Sequence, residues 1–115
     1  MTRPLIISED LGQRGILLQG WAGLGEGRKL PEYAFALQSV PHSWLFPRVA
    51  TVVHHGGAGT TGAGLRAGVP SILTPFIADQ PSWARRVVEL GAGPTPIPFG
   101  RLTPERLAEA IRQAI

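Results

Sequence analysis

The sequence predicts an α/β fold, a Rossmann-like parallel sheet flanked by helices. Three observations predict it. Short apolar runs alternate with stretches of helical periodicity, glycines and prolines punctuate the joins, and one apolar run empties into a glycine-rich turn that opens a helix. Continuous apolar runs mark strands buried on both faces. Strand and helix in alternation mark a parallel sheet with crossover helices.

The strand candidates are residues 16–18, 35–40, 50–54 and 71–76, with a weak fifth at 96–98. Three helices are expected between and after them. The first runs over residues 60–67 and stops at Gly68. The second begins near Pro81, where Trp83, Val87 and Leu90 recur at helical spacing, and stops at Gly91. The last has Thr103 as N-cap and Pro104 as first residue, with Leu107, Ala108, Ile111 and Ile115 on one face. Residues 1–12 are poorly patterned, and a helix is expected over 6–11. Trp44 and Trp83 are expected in the core or in the walls of a groove.

At 115 residues and 43% hydrophobic, the chain is one domain able to bury a core. No apolar run approaches the ~20 residues that span a bilayer, and the first ten residues have no signal-peptide pattern. Cysteine is absent, which excludes disulfides and thiolate metal sites and fits a cytoplasmic location. The net charge is +3, and ten of the eleven cations are Arg, which suits an anionic ligand. They are scattered rather than clustered, so a nucleic-acid partner is not expected.

The chemistry concentrates in Val52-Val53-His54-His55-Gly56-Gly57-Ala58-Gly59-Thr60-Thr61-Gly62. A strand ends, glycines turn, and a helix starts. Without Cβ atoms a ligand can approach the backbone, and the free N–H groups and dipole of a helix start favour an anion. Thr60 and Thr61 add hydroxyls, and His55 adds a ring N–H. Adjacent strand residues face opposite ways, so His55 is taken as the ligand contact and His54 as structural. The reading is a diphosphate cradle. The same glycines also suit a tight corner with no ligand. Gly57-x-Gly59-x-x-Gly62 further matches the dinucleotide fingerprint, with Asp79 near the position of its acidic residue, so an NAD(P)-binding domain competes. A P-loop does not, for no Gly-Lys-Ser or Gly-Lys-Thr follows.

Asp79 and Gln80 follow the strand at 71–76 as His55 and Gly57 follow theirs. In a parallel sheet both loops face one crevice. An acid beside an amide suits vicinal hydroxyls. Taken alone, the pair is more readily read as helix capping before Pro81.

Taken together, Val40-Pro41-His42-Ser43-Trp44-Leu45-Phe46-Pro47-Arg48-Val49, His54-His55-Gly56-Gly57-Ala58-Gly59-Thr60-Thr61, Arg66-Ala67-Gly68-Val69-Pro70, Pro75 and Asp79-Gln80-Pro81 resemble a known family. It is the C-terminal, donor-binding domain of family-one glycosyltransferases of the GT-B fold. The resemblance is to sterol glucosyltransferases and to bacterial antibiotic and macrolide glycosyltransferases, and it runs from Gly15 to the end. It implies that residues 1–115 are a nucleotide-sugar-binding domain, truncated at its N-terminal end and separated from an acceptor-binding N-terminal domain. It places the diphosphate at His55, Gly57, Ala58, Gly59 and Thr60, the base at Val40 and Trp21, and the donor sugar at Asp79 and Gln80.

The implied donor is UDP-glucose or a TDP-sugar, with Gln80 leaning towards glucose. The implied reaction is inverting transfer of a hexose to a lipophilic acceptor such as a sterol, with no cofactor and no metal. The implied partners are the donor and the acceptor domain, with room for peripheral membrane contact by the full enzyme. The family's catalytic His and its Asp partner belong to the other domain, so no catalytic residue is expected here and the chain alone should be inactive. Plant members carry a Glu for the ribose where this sequence has Ala63. A nucleotide-sugar-binding module without catalysis is the second reading.

Overall fold

The computed structural model describes residues 15–18, 34–37 and 40–115. The elements are β1 (Gly15–Leu18), β2 (Ala34–Leu37), α1 (His42–Leu45) running into a 3-10 turn at Phe46–Arg48, β3 (Val52–His54), α2 (Ala58–Ala67), β4 (Ser71–Leu73), α3 (Gln80–Glu89), a 3-10 turn at Phe99–Arg101 and α4 (Pro104–Ala114). The helix expected over 6–11 lies outside the described residues.

The strands pair in parallel, as the unbroken apolar runs imply. Among the described residues they form two pairs, β1 with β2 and β3 with β4, rather than one continuous ladder. β2, β3 and β4 are also shorter than the apolar runs. Pro70 and Pro75 bracket β4, and a proline brings no N–H to a ladder. The weak strand at 96–98 is no strand. Its segment still runs beside β4, with Ser71 N donating to Ala92 O, Ile97 N to Leu73 O and Phe99 N to Pro75 O. Pro94, Pro96 and Pro98 alternate through it and thin the ladder.

The alternation of side chains along β3 and β4 builds the layers. Ile72 packs with Ile97, Leu107, Ala110 and Ile111, and Val53 joins it, so α4 covers one face. Leu73 packs with Ala84 and Val87 of α3 on the other face. Beside them Val52 packs with Leu45 and Phe46, flanked by Val40, Val49, Ala63, Ala67 and Val69, which seats α1 and α2.

Helix ends follow local chemistry. Thr103 Oγ1 accepts from Arg106 N and Pro104 sits in the first turn of α4, as expected. Gly68 ends α2 at φ 72° and Gly91 follows α3 at φ 69°. α2 starts two residues before the expected Thr60. The short α1 was not expected at all, since Pro47 interrupts any helical period there. Two expected faces are corrected. α3 buries Ala84 and Val87 while Trp83 and Leu90 stay exposed, because i, i+3 spacing meets Leu73 and the wide Trp83 ring lies outside that contact. Trp44 is likewise outside the core: it is half exposed, with the Arg48 guanidinium 4.3 Å from its ring centroid. Ile115 is also exposed.

Candidate functional site

β3 delivers His54 and His55 to its carboxyl end with opposite roles. Gly56 N donates to His54 Nδ1 at 3.1 Å, which turns that ring inward. Burial, with His55 and His42 nearby, lowers the His54 pKa to about 4. His54 is therefore neutral, and its buried Nε2 has no partner among the described residues. His55 is half-buried and turns the other way, towards the Gln80 loop.

Gly56 holds the corner and was not singled out in the sequence. Its φ is 100°, a region that side chains rarely adopt. A Cβ there would stand 2.9 Å from Leu73 Cδ2 and 3.3 Å from the Gln80 carbonyl oxygen. The glycine turn and the Asp79–Gln80 loop are thus in direct contact, at the carboxyl ends of β3 and β4. The clue in the sequence was the first glycine of the run; its partner, Gln80, lies too far along the chain for any local signal.

Gly57 is the N-cap of α2, with no side-chain hydrogen bond to the cap and no acid in the first turn. The N–H groups of Ala58, Gly59 and Thr60 belong to the first turn, where a helix offers them no internal acceptor. Nothing lies within 4 Å of a Cβ built on Gly59, and Ala58 and Gly59 are exposed. The start of α2 is an open, uncapped, positive dipole end.

The second loop is held by its own residues. Gln80 Oε1 accepts from Phe76 N at 2.7 Å and from Ile77 N at 2.9 Å. Gln80 Nε2 lies 3.2 Å from His55 Nδ1. Asp79 is exposed, and its Oδ2 accepts from Trp83 Nε1 at 2.8 Å. Ala78 sits at φ 58°, a left-handed conformation that costs a non-glycine residue roughly 1–2 kcal/mol. Neither residue caps α3 through its side chain: Gln80 Oε1 braces the loop before the helix at Phe76 N and Ile77 N, and Asp79 makes no cap bond to the backbone of α3.

His55, Gly57, Ala58, Gly59, Thr60, Asp79 and Gln80 all fall on the two adjoining loops or on the first turns of α2 and α3 that they open. Val40 is half-buried, its side chain packed against the Leu45, Phe46 and Val52 cluster. Trp21 lies outside the described residues. Among the described residues no group of three His, Asp or Glu could hold a metal ion, and no helix is long and apolar enough to cross a membrane.

A parallel α/β unit with a glycine turn and an acid-amide loop on one edge has the form of the C-terminal half of a GT-B glycosyltransferase. Residues 22–115 match the family described as erythromycin biosynthesis protein CIII-like, C-terminal domain, and the chain belongs to that glycosyltransferase family. It is 50% identical over 105 residues to a sterol 3-beta-glucosyltransferase of Arabidopsis thaliana, covering 90% of this chain and 17% of that protein. It is 45% identical over 103 residues to the O-mycaminosyltylonolide 6-deoxyallosyltransferase of Streptomyces fradiae, covering 90% of this chain and 24% of that one. Among solved structures it superposes on the glycotransferase of kitacinnamycin with a TM-score of 0.77 at 32% identity, over 86% of this chain and 26% of that one. It superposes on the glycosyltransferase VinC in complex with DTDP with a TM-score of 0.68 at 37% identity, over 76% of this chain and 22% of that one. The chain thus spans about a quarter or less of each of these relatives. Plants and fungi supply several of them, so the resemblance to bacterial enzymes does not make this chain bacterial.

Proposed function

We propose that this domain holds the UDP- or TDP-linked sugar donor for an inverting glycosyltransferase that passes a hexose to a lipophilic acceptor. The observation that carries it is the uncapped start of α2 behind an open Gly59. Backbone N–H groups and a helix dipole suit a diphosphate, and the His55 ring adds one donor. Asp79 and Gln80, on the adjoining loop, suit the sugar hydroxyls. The acceptor oxygen would attack the anomeric carbon from the face opposite the diphosphate. The bond from that carbon to the β-phosphate oxygen breaks, and the new negative charge forms beside the N–H groups of Ala58, Gly59 and Thr60. Donors aimed at developing charge stabilise the transition state more than the ground state. The base that takes the acceptor proton lies outside this chain, so the chain alone binds the donor and transfers nothing.

A thermal-shift titration with UDP, TDP and NAD tests the reading. A ligand that binds the folded state alone raises its stability by mass action. UDP or TDP should raise the melting point at millimolar concentration while NAD does not, and the opposite order overturns it. Turnover of UDP-glucose by the isolated chain with a sterol would show the base to be misplaced.

A further inference from the structure

We infer that Gln80 is a positioning residue for His55, its amide deciding which ring nitrogen of His55 carries the proton and so keeping an N–H on the nitrogen that Gln80 does not engage, in a ring that lies beside the start of α2. The inference rests on the donor-site reading above and adds a role for Gln80 beyond sugar contact.

The orientation of a side-chain amide is ambiguous until its partners are known. Here they decide it. Phe76 N and Ile77 N are backbone donors and both reach the same Gln80 atom, at 2.7 and 2.9 Å. Only an oxygen can accept from both. The atom 3.2 Å from His55 Nδ1 is therefore the NH2 group, which has donors and no acceptor. A donor facing Nδ1 requires a lone pair there. The neutral His55 ring then carries its proton on Nε2. Carbon Cε1, which joins the two ring nitrogens, lies 3.7 Å from the Cβ position of Gly57, the N-cap of α2. The ring that carries this proton therefore lies beside the N-cap of α2, with its lone pair facing the Gln80 amide. With the opposite tautomer Nε2 would carry a lone pair and could donate no hydrogen bond to a phosphate oxygen beside the ring.

The NH2 group has two N–H bonds. One goes to His55, and the other remains for a sugar hydroxyl. Gln80 therefore couples the phosphate contact to the sugar contact.

The test is ring-nitrogen NMR on the chain labelled with 15N-histidine at alkaline pH, with His55→Gln to assign the signals. In the unaltered chain His55 Nε2 should give the protonated signal and Nδ1 the unprotonated one. Gln80→Glu keeps oxygens for Phe76 N and Ile77 N but presents an acceptor to His55, and should move the proton to Nδ1. A purely structural role for Gln80 predicts no change in that variant. A proton on Nδ1 in the unaltered chain, or a tautomer indifferent to Gln80→Glu, overturns the inference. Gln80→Met, which removes the donor without adding charge, should weaken UDP as well as UDP-glucose, UDP by roughly fivefold, the worth of about one hydrogen bond. UDP affinity unchanged in Gln80→Met, with only UDP-glucose weakened, would return Gln80 to sugar contact alone. If the unaltered chain binds no UDP at all, the donor-site reading fails, while the NMR spectra judge the Gln80–His55 pair by themselves.

Discussion

Two neighbouring histidines at the end of one short strand meet opposite environments, and the difference can be measured. His54 has its folded pKa lowered to about 4 from the ordinary histidine value of 6.5, first by burial and then by His55 and His42. Between those two values the unfolded chain binds a proton that the folded chain refuses. Stability from this group is therefore complete above about pH 6.5 and falls as pH drops towards 4, by an amount on the order of 3 kcal/mol at most. Urea unfolding at neutral and at mildly acidic pH should show that decline, and His54→Gln should flatten it; the same slope in the variant would assign the decline elsewhere. Gly59 offers a second measurement at this scale. Open space in front of it means Gly59→Val should shift unfolding stability little, within about 0.5 kcal/mol for an exposed site. If the diphosphate sits there, UDP should bind roughly tenfold or more weakly, since charged hydrogen bonds contribute about 1.5–3 kcal/mol each. Intact UDP binding in Gly59→Val would remove the phosphate from this turn. At this scale the sequence told the two histidines apart because adjacent strand positions face opposite sides. It was silent on the Gln80–His55 contact, because 25 residues and a complete helix separate the partners.

Single elements show where pattern reading succeeds and where it stops. Caps are local, so Thr103, Gly68 and Gly91 were legible one by one, and α2 and α4 followed. Thr103→Ala should cost about 1 kcal/mol of stability, the usual worth of an N-cap, in thermal or denaturant unfolding. Which face of a helix is buried depends on what lies across from it. Helical spacing picked out Trp83, Val87 and Leu90 on α3, whereas Val87 is buried together with Ala84 and the other two stay exposed. The packing of residues 92–99 against β4 was beyond reach for the same reason. There the closest approach is Gly93, where a Cβ would overlap the Ser71 carbonyl and stand 3.1 Å from Val87 Cγ1. Gly93→Ala should destabilise the domain by about 1–3 kcal/mol, as overpacking does. A melting point within a degree of the unaltered chain would mean that residues 92–99 stand off β4.

At the scale of the whole molecule, the parallel α/β architecture was legible because buried strands and punctuated helices leave strong signals. The pairing of the strands was not, since apolar runs do not name their neighbours. The segment after Gly93 has a property that concerns many molecules rather than one. Ile97 and Phe99 turn their N–H groups towards β4, so residues 96 and 98 face the other way. Both are proline, and they have no N–H to offer outwards. An incoming strand would find no donors there, and the Pro98 carbonyl already accepts from Arg101 N, whereas cross-chain pairing needs both donors and acceptors. This flank is therefore protected against self-association. Pro96→Val combined with Pro98→Val restores two outward donors on a β-branched, extended segment. The double variant should keep its helical circular dichroism yet form larger species as concentration rises in gel filtration. A variant that stays monomeric throughout would show that something other than the prolines keeps copies of this chain apart.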